Sequence, residues 1–133
     1  MKYLKISIFM FLLTFVFASV TTYAADYQVY AGLTLPAFKK EIKKGPKSKT
    51  VEGEQKYYND FSINSCTGNN NDIGVRVSTE YNGYSDRATV SVGSTSTIPA
   101  DERSTEIDAY NLHIRNNVIS PCEAYHGGIW YYN

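Results

Sequence analysis

On both sides of Asn82-Gly83, apolar residues recur at every second position: Ile73, Val75 and Val77 before it, Ala88, Val90 and Val92 after it. A period of two is the signature of strands with one buried and one wet face. Asn and Gly both tolerate positive φ, so a two-residue type I′ turn fits between them. That turn predicts Tyr81 opposite Tyr84, Val77 opposite Ala88, Val75 opposite Val90 and Ile73 opposite Val92. Arg76, Ser78 and Glu80 then oppose Thr89, Arg87 and Ser85 on the other face. A slip by one residue would turn every apolar side chain toward water.

The same period recurs elsewhere. Tyr27, Val29, Ala31, Leu33 and Leu35 share one expected face, with Tyr30 on the other, until Pro36 ends the run. Tyr57, Asn59, Phe61 and Ile63 form a weaker alternation, and Tyr110, Leu112 and Ile114 another. The chain closes on the aromatic run Gly128-Ile129-Trp130-Tyr131-Tyr132-Asn133. Asn-rich, Ser-rich and Gly-rich stretches separate these segments, as turns require. The expected fold is all-β, a small antiparallel β-sandwich of six or seven strands, with a partly open barrel as the alternative. One short helix is expected within residues 37–44, cut off by Gly45-Pro46.

Ahead of the strands, a basic start with Lys2 and Lys5 leads into an almost unbroken apolar run from Ile6 to Val20. Thr22-Tyr23-Ala24 then places small residues at the third and last positions before a cut at Ala24/Ala25. This is the anatomy of a secretory signal peptide over residues 1–24, and the run is short for a membrane span of about 20 residues. Residues 25–133 are expected to form a single secreted, extracellular domain. Without Lys2 and Lys5 the 13 basic residues fall to 11, against 13 acidic ones, a formal charge of −2. Nucleic-acid binders normally carry a basic excess, so no nucleic-acid partner is expected.

Cys66 and Cys122 are the two cysteines of the chain, and in an oxidising compartment a lone pair reads as a disulfide. They stand 56 positions apart, a loop whose closure constrains the unfolded chain by about 4 kcal/mol in the entropy model. With His113 and His126 they match a structural zinc site in number but not in spacing. Asn70 and Asp72 resemble a calcium loop, but Tyr81 stands where its closing Glu belongs. No metal and no cofactor is expected.

More than half of the basic residues after the signal crowd into one stretch: Lys39, Lys40, Lys43, Lys44, Lys47 and Lys49. Screened attraction to an anionic cell-wall polymer or membrane surface is the binding expectation, a solvated loop the plainer one. Asp101, Glu102, Glu106 and Asp108 make an acidic counterweight. Of 12 tyrosines only Tyr3 and Tyr23 precede the cut. Tyr30, Tyr58 and Tyr132 are expected to be exposed, where rings can stack on a glycan or sit at a membrane interface. Cross-strand pairing is the alternative use of such rings. There is no Gly-x-Ser-x-Gly, His-Glu-x-x-His or phosphate-loop motif. A carboxylate pair such as Asp101 with Glu106 could do acid–base work, but acidic loops are common, so no enzyme is expected.

The signal ending Thr22-Tyr23-Ala24, the opening Tyr27-Gln28-Val29-Tyr30-Ala31-Gly32 and the terminal Gly128-Ile129-Trp130-Tyr131-Tyr132-Asn133 carry a resemblance in plan. In these features the chain resembles small secreted β-sandwich proteins of Gram-positive bacteria, which include lactococcin-type bacteriocins. The resemblance implies no functional residues. The expected function is a secreted, non-enzymatic binding protein at the bacterial cell envelope. A bacteriocin-like toxin is the first alternative, and a small secreted enzyme or enzyme inhibitor the second.

Overall fold

The computed structural model describes residues 26–133; the expected signal peptide lies outside the described residues. Nine strands and one helical turn follow in order. They are β1 Tyr27–Leu35, β2 Ile42–Ser48, β3 Lys56–Asn64, β4 Ile73–Thr79, β5 Gly83–Tyr84, β6 Ala88–Val90, β7 Thr95–Thr97, α1 Glu102–Thr105, β8 Ala109–Asn116 and β9 Ala124–Tyr131. They build two antiparallel sheets, β1-β9-β3-β7 and β2-β8-β4-β5, with β6 also paired to β4. The sandwich is as expected; the strand count exceeds six or seven because the second hairpin arm divides into β5 and β6, and β2 and the short β7 are added. Leu35, Tyr57 and Trp130 from the first sheet meet Val75, Val77, Tyr110, Leu112 and Ile114 from the second in one buried core.

Strand β9 is the axis of the first sheet, and its Gly127-Gly128 step shapes both neighbours. A Cβ on Gly127 would stand 2.6 Å from the Phe61 ring, and one on Gly128 would stand 2.5 Å from both the Tyr57 hydroxyl and the Tyr58 carbonyl. At this level β3 bulges between Asn59 and Phe61, and β1 bulges between Tyr30 and Leu33. A bulge of one residue reverses which face the following side chains take. The unbroken alternations expected in both strands are therefore wrong. Tyr27 and Val29 point outward while Leu33 and Leu35 point inward, and Phe61 and Ile63 are outward while Tyr57 and Asn59 are buried.

The hairpin of β4 also differs in register. Thr79 pairs with Gly83 and Ser78 with Tyr84, leaving Glu80, Tyr81 and Asn82 as a three-residue loop. Gly83 takes the left-handed φ of +68°, and the Thr79 hydroxyl accepts from the Asn82 amide at 2.9 Å. Among the described residues the only non-glycine positive φ values belong to Phe38 and Lys39, so no type I′ turn forms at Asn82. Ser85 then takes an irregular place: its amide donates to the Val77 carbonyl, and its hydroxyl accepts from the Val77 amide. Beyond it Val75 pairs with Ala88 and Ile73 with Val90. The shift is two residues, so the apolar faces still meet.

No helix forms in residues 37–44. Phe38 and Lys39 turn the chain with positive φ, and β2 starts at Ile42 as the edge of the second sheet against β8. Lys and Glu are good helix formers, but propensity is a weak bias and eight residues are too few to hold a helix without packing. Pairing with β8 wins. Gly45-Pro46, joined by a cis peptide, form a bulge between Lys44 and Lys47, the position an edge strand allows proline. The helical turn is α1, whose Asp101 side chain accepts from the Arg103 amide while the Ser104 hydroxyl accepts from the Asp101 amide. Asp101, read as half of a carboxylate pair, is a helix cap and an Arg103 partner.

Cys66 and Cys122 are joined, with Cα atoms 6.0 Å apart. They sit just beyond the Asn64–Ala124 rung of β3 and β9, so the bridge locks that end of the first sheet. Reduction, or Cys66→Ser with Cys122→Ser, is expected to lower unfolding free energy by about 4 kcal/mol, read as the shift in urea midpoint between oxidised and reduced protein.

His126 is fully buried in the sandwich. Its Nε2 lies 2.8 Å from the Tyr57 hydroxyl and its Nδ1 2.7 Å from the Phe61 carbonyl. The carbonyl can only accept, so Nδ1 carries the proton and Nε2 accepts from Tyr57. Burial lowers the His126 pKa to about 4, against the weaker upward pull of the Phe61 carbonyl. A depressed pKa contributes stability that is complete above the unfolded value near 6.5 and is lost as pH falls through about 4. Between those limits roughly 3 kcal/mol should disappear. Urea midpoints from pH 7 to 4.5 should fall more steeply for the native chain than for His126→Gln, which has no titrating ring; equal slopes would assign the loss to other groups.

Candidate functional site

Three of the chain's four arginines converge on the outer face of the second sheet. Arg76 comes from β4, Arg115 from β8 and Arg87 from the segment just before β6. Glu41, at the start of β2, gathers two of them. Its Oε2 accepts from Arg76 Nη2 at 3.1 Å, and Arg87 Nη2 donates to Oε1. Arg76 Nε also lies 2.9 Å from Oε1, without the alignment of a hydrogen bond. Gly74 makes room below: a Cβ there would stand 2.6 Å from Arg87 Cδ and 3.2 Å from Arg115 Nε. The Arg76 guanidinium lies over the Tyr84 ring, 3.9 Å from its centroid, a cation–π contact. The corrected hairpin register makes this contact, because pairing with Ser78 puts Tyr84 on the polar face.

His113 lies beneath the cluster, its Nε2 2.7 Å from the Ser78 hydroxyl and its Nδ1 3.6 Å from Glu41. Burial lowers its pKa, and Arg76, Lys43 and Arg87 repel the added charge, outweighing Glu41. Burial pushes the Glu41 carboxyl up, but the hydrogen bonds and charges of Arg76 and Arg87 hold it below its usual range. Arg115 forms no ion pair among the described residues. Burial and then repulsion from Arg87 pull its guanidinium below the ordinary value. Sequence reading passed over these arginines because they lie far apart along the chain; Arg76 and Arg87 appeared only as wet-face residues of the hairpin.

The six lysines of the run differ in exposure. Lys49 is 2% exposed, its Nζ donating to the Tyr132 carbonyl at 3.0 Å, and burial lowers its pKa. It is an internal brace, not a surface cation. Lys40 and Lys43 are exposed, while Lys39, Lys44 and Lys47 are half-buried. Lys43 pairs in register with His113, beside the arginines. Charged residues on an edge strand also discourage pairing with other chains.

The outer face of the first sheet is aromatic. Tyr27, Val29, Tyr125 and Ile63 are 59%, 51%, 55% and 39% exposed. Phe61 and Tyr125 stack with centroids 5.9 Å apart, and Tyr27 meets Tyr131 at 6.0 Å. A shallow cavity of about 200 Å³ opens between Val29, Tyr58, Asp60, Phe61 and Ile129. Of the tyrosines expected at the surface, Tyr58 is half-buried at this cavity. Tyr30, which also lines the cavity, and Tyr132 are half-buried and pack against the core, Tyr132 on Trp130 at 5.3 Å. Burial pushes the Tyr30 hydroxyl up to about 12. The bulge after Tyr30 puts Tyr30 on the same inner face as Leu33 and Leu35. Comparison with protein-family models, curated proteins and solved structures gave no significant match.

Glu41→Gln removes the carboxylate that gathers Arg76 and Arg87. It should cost about 2 kcal/mol, as for loss of hydrogen bonds to a charged group. The urea midpoint of the variant at pH 7 checks this. The difference should shrink as pH falls through the carboxylate range, because a depressed carboxyl stabilises only while ionised.

Proposed function

We propose that this chain is a secreted, non-enzymatic binding protein that acts at a bacterial cell envelope. The observation that carries this is the uncovered aromatic face of the first sheet, with Tyr27, Val29, Ile63 and Tyr125 well exposed around the Phe61–Tyr125 stack. Flat rings on a rigid sheet suit sugar rings or an interface with one apolar and one wet side. Exposed aromatic surface costs solubility, so a patch of this kind marks a contact. The second sheet supports the same reading from its other side, where Lys40, Lys43 and the arginine cluster supply attraction to an anionic surface.

The test is a pull-down of oxidised protein on intact Gram-positive cells, isolated wall and anionic vesicles, with cell viability read in parallel. Phe61→Ala with Tyr125→Ala should weaken retention about tenfold at every salt concentration, the scale of one or two ring contacts. Lys39, Lys40, Lys43 and Lys44 changed to Gln should weaken it at low salt only, the difference vanishing near 1 M, where the Debye length is about 3 Å. Killing of the cells would assign a bacteriocin-type action. Retention on none of the three would rule the envelope out.

A further inference from the structure

We propose that Arg76, Arg87 and Arg115, on the outer face of the second sheet, form a binding site for a phosphate group. The proposal rests on the envelope reading for the source of that phosphate, not for the site itself. Three guanidiniums face one carboxylate there, a surplus of two positive charges once Glu41 is set against them. Glu41 is already engaged by Arg76 and Arg87, and Arg115 has no ion-pair partner among the described residues. A surplus held this close is repulsive, and a bound anion relieves it.

The site is also held in place before any ligand arrives. The Tyr84 ring fixes Arg76, and Gly74 lets Arg87 and Arg115 lie side by side over β4. Arg76 and Arg87 keep 27% and 23% of their side-chain exposure. They are thus reachable from water, yet less screened than free surface lysines. Planar guanidinium forks match phosphate oxygens two at a time, which a lysine ammonium does not. A phosphate offers more acceptor oxygens and up to two charges, where a second carboxylate would bring one charge. Lys43, in register with His113, lies at the rim.

Inorganic phosphate is titrated calorimetrically into the oxidised protein at fixed low ionic strength, with acetate and chloride as controls. Saturable phosphate binding at least tenfold tighter than acetate is expected. Arg115→Gln should weaken it tenfold or more. Arg103→Gln should not, since Arg103 pairs with Asp101 and Asp86 elsewhere. Should Arg115→Gln fold poorly, the native chain decides by NMR: phosphate must shift Tyr84 and His113 ring signals and leave Tyr132 unmoved. Phosphate no tighter than acetate or chloride, unchanged affinity in folded Arg115→Gln, or shifts confined elsewhere would overturn the site.

The source follows from competition. Release from phosphatidylglycerol vesicles by free phosphate assigns a lipid headgroup, and release from poly(glycerol phosphate) assigns a polymer. Saturable phosphate binding with neither assigns a small phosphate ester. Phosphate binding without retention on cells, wall or vesicles keeps the site and removes the envelope reading. Retention untouched by phosphate and by Arg115→Gln does the reverse.

Discussion

The missing side chains at Gly127 and Gly128 set the geometry of the first sheet. Strand β9 runs between β1 and β3, and both neighbours bulge at the level of this pair. Phe61 lies against Gly127 on the outer face, while the Tyr57 hydroxyl crosses Gly128 on the inner one and meets His126. A Cβ at either place would push an aromatic ring away. The bulges then decide which tyrosines are core and which are surface.

A second constraint joins the core to the chain ends. Trp130 Nε1 donates to Gln55 Oε1, and Gln55 Nε2 donates to the Ser104 carbonyl, so a buried polar relay ties β9 to α1. Lys49 reaches the Tyr132 carbonyl in the same region. Buried polar groups must be paired or they cost more than they contribute. These long-range pairs satisfy Trp130, Gln55 and Lys49 inside the fold, while the surface chemistry lies on the two outer faces. One is aromatic and the other cationic, the contrast on which the proposed binding role depends.

Much of the second sheet was legible along the chain, because its buried strands alternate without interruption. Ile73, Val75 and Val77, and Tyr110, Leu112 and Ile114, are core residues on the faces their period of two assigns. The first sheet was less legible. In β1 the isolated Gly32, at φ +73°, is a local sign of the bulge that the alternation concealed, whereas nothing local in Asp60 announces the one in β3. Lys49 was misread for a related reason: it has the chemistry of a surface residue and the position of a buried one. The arginine cluster left no sequence signal, because its members meet only when β4, β8 and the approach to β6 lie side by side.

The period of two, an antiparallel all-β fold and the pairing of the only two cysteines were readable along the chain. Those depend on local backbone sterics, alternating burial and a count of thiols. The inner placement of Tyr30, the burial of Lys49 and His126, the pairing of Arg76 and Arg87 with Glu41, and the approach of Arg115 beside Arg87 over Gly74 come from the tertiary structure. Each of these depends on what stands opposite a residue across the sheet. Register, bulges and the space left by Gly74, Gly127 and Gly128 settle that, and none is a property of a residue's own neighbours in the chain.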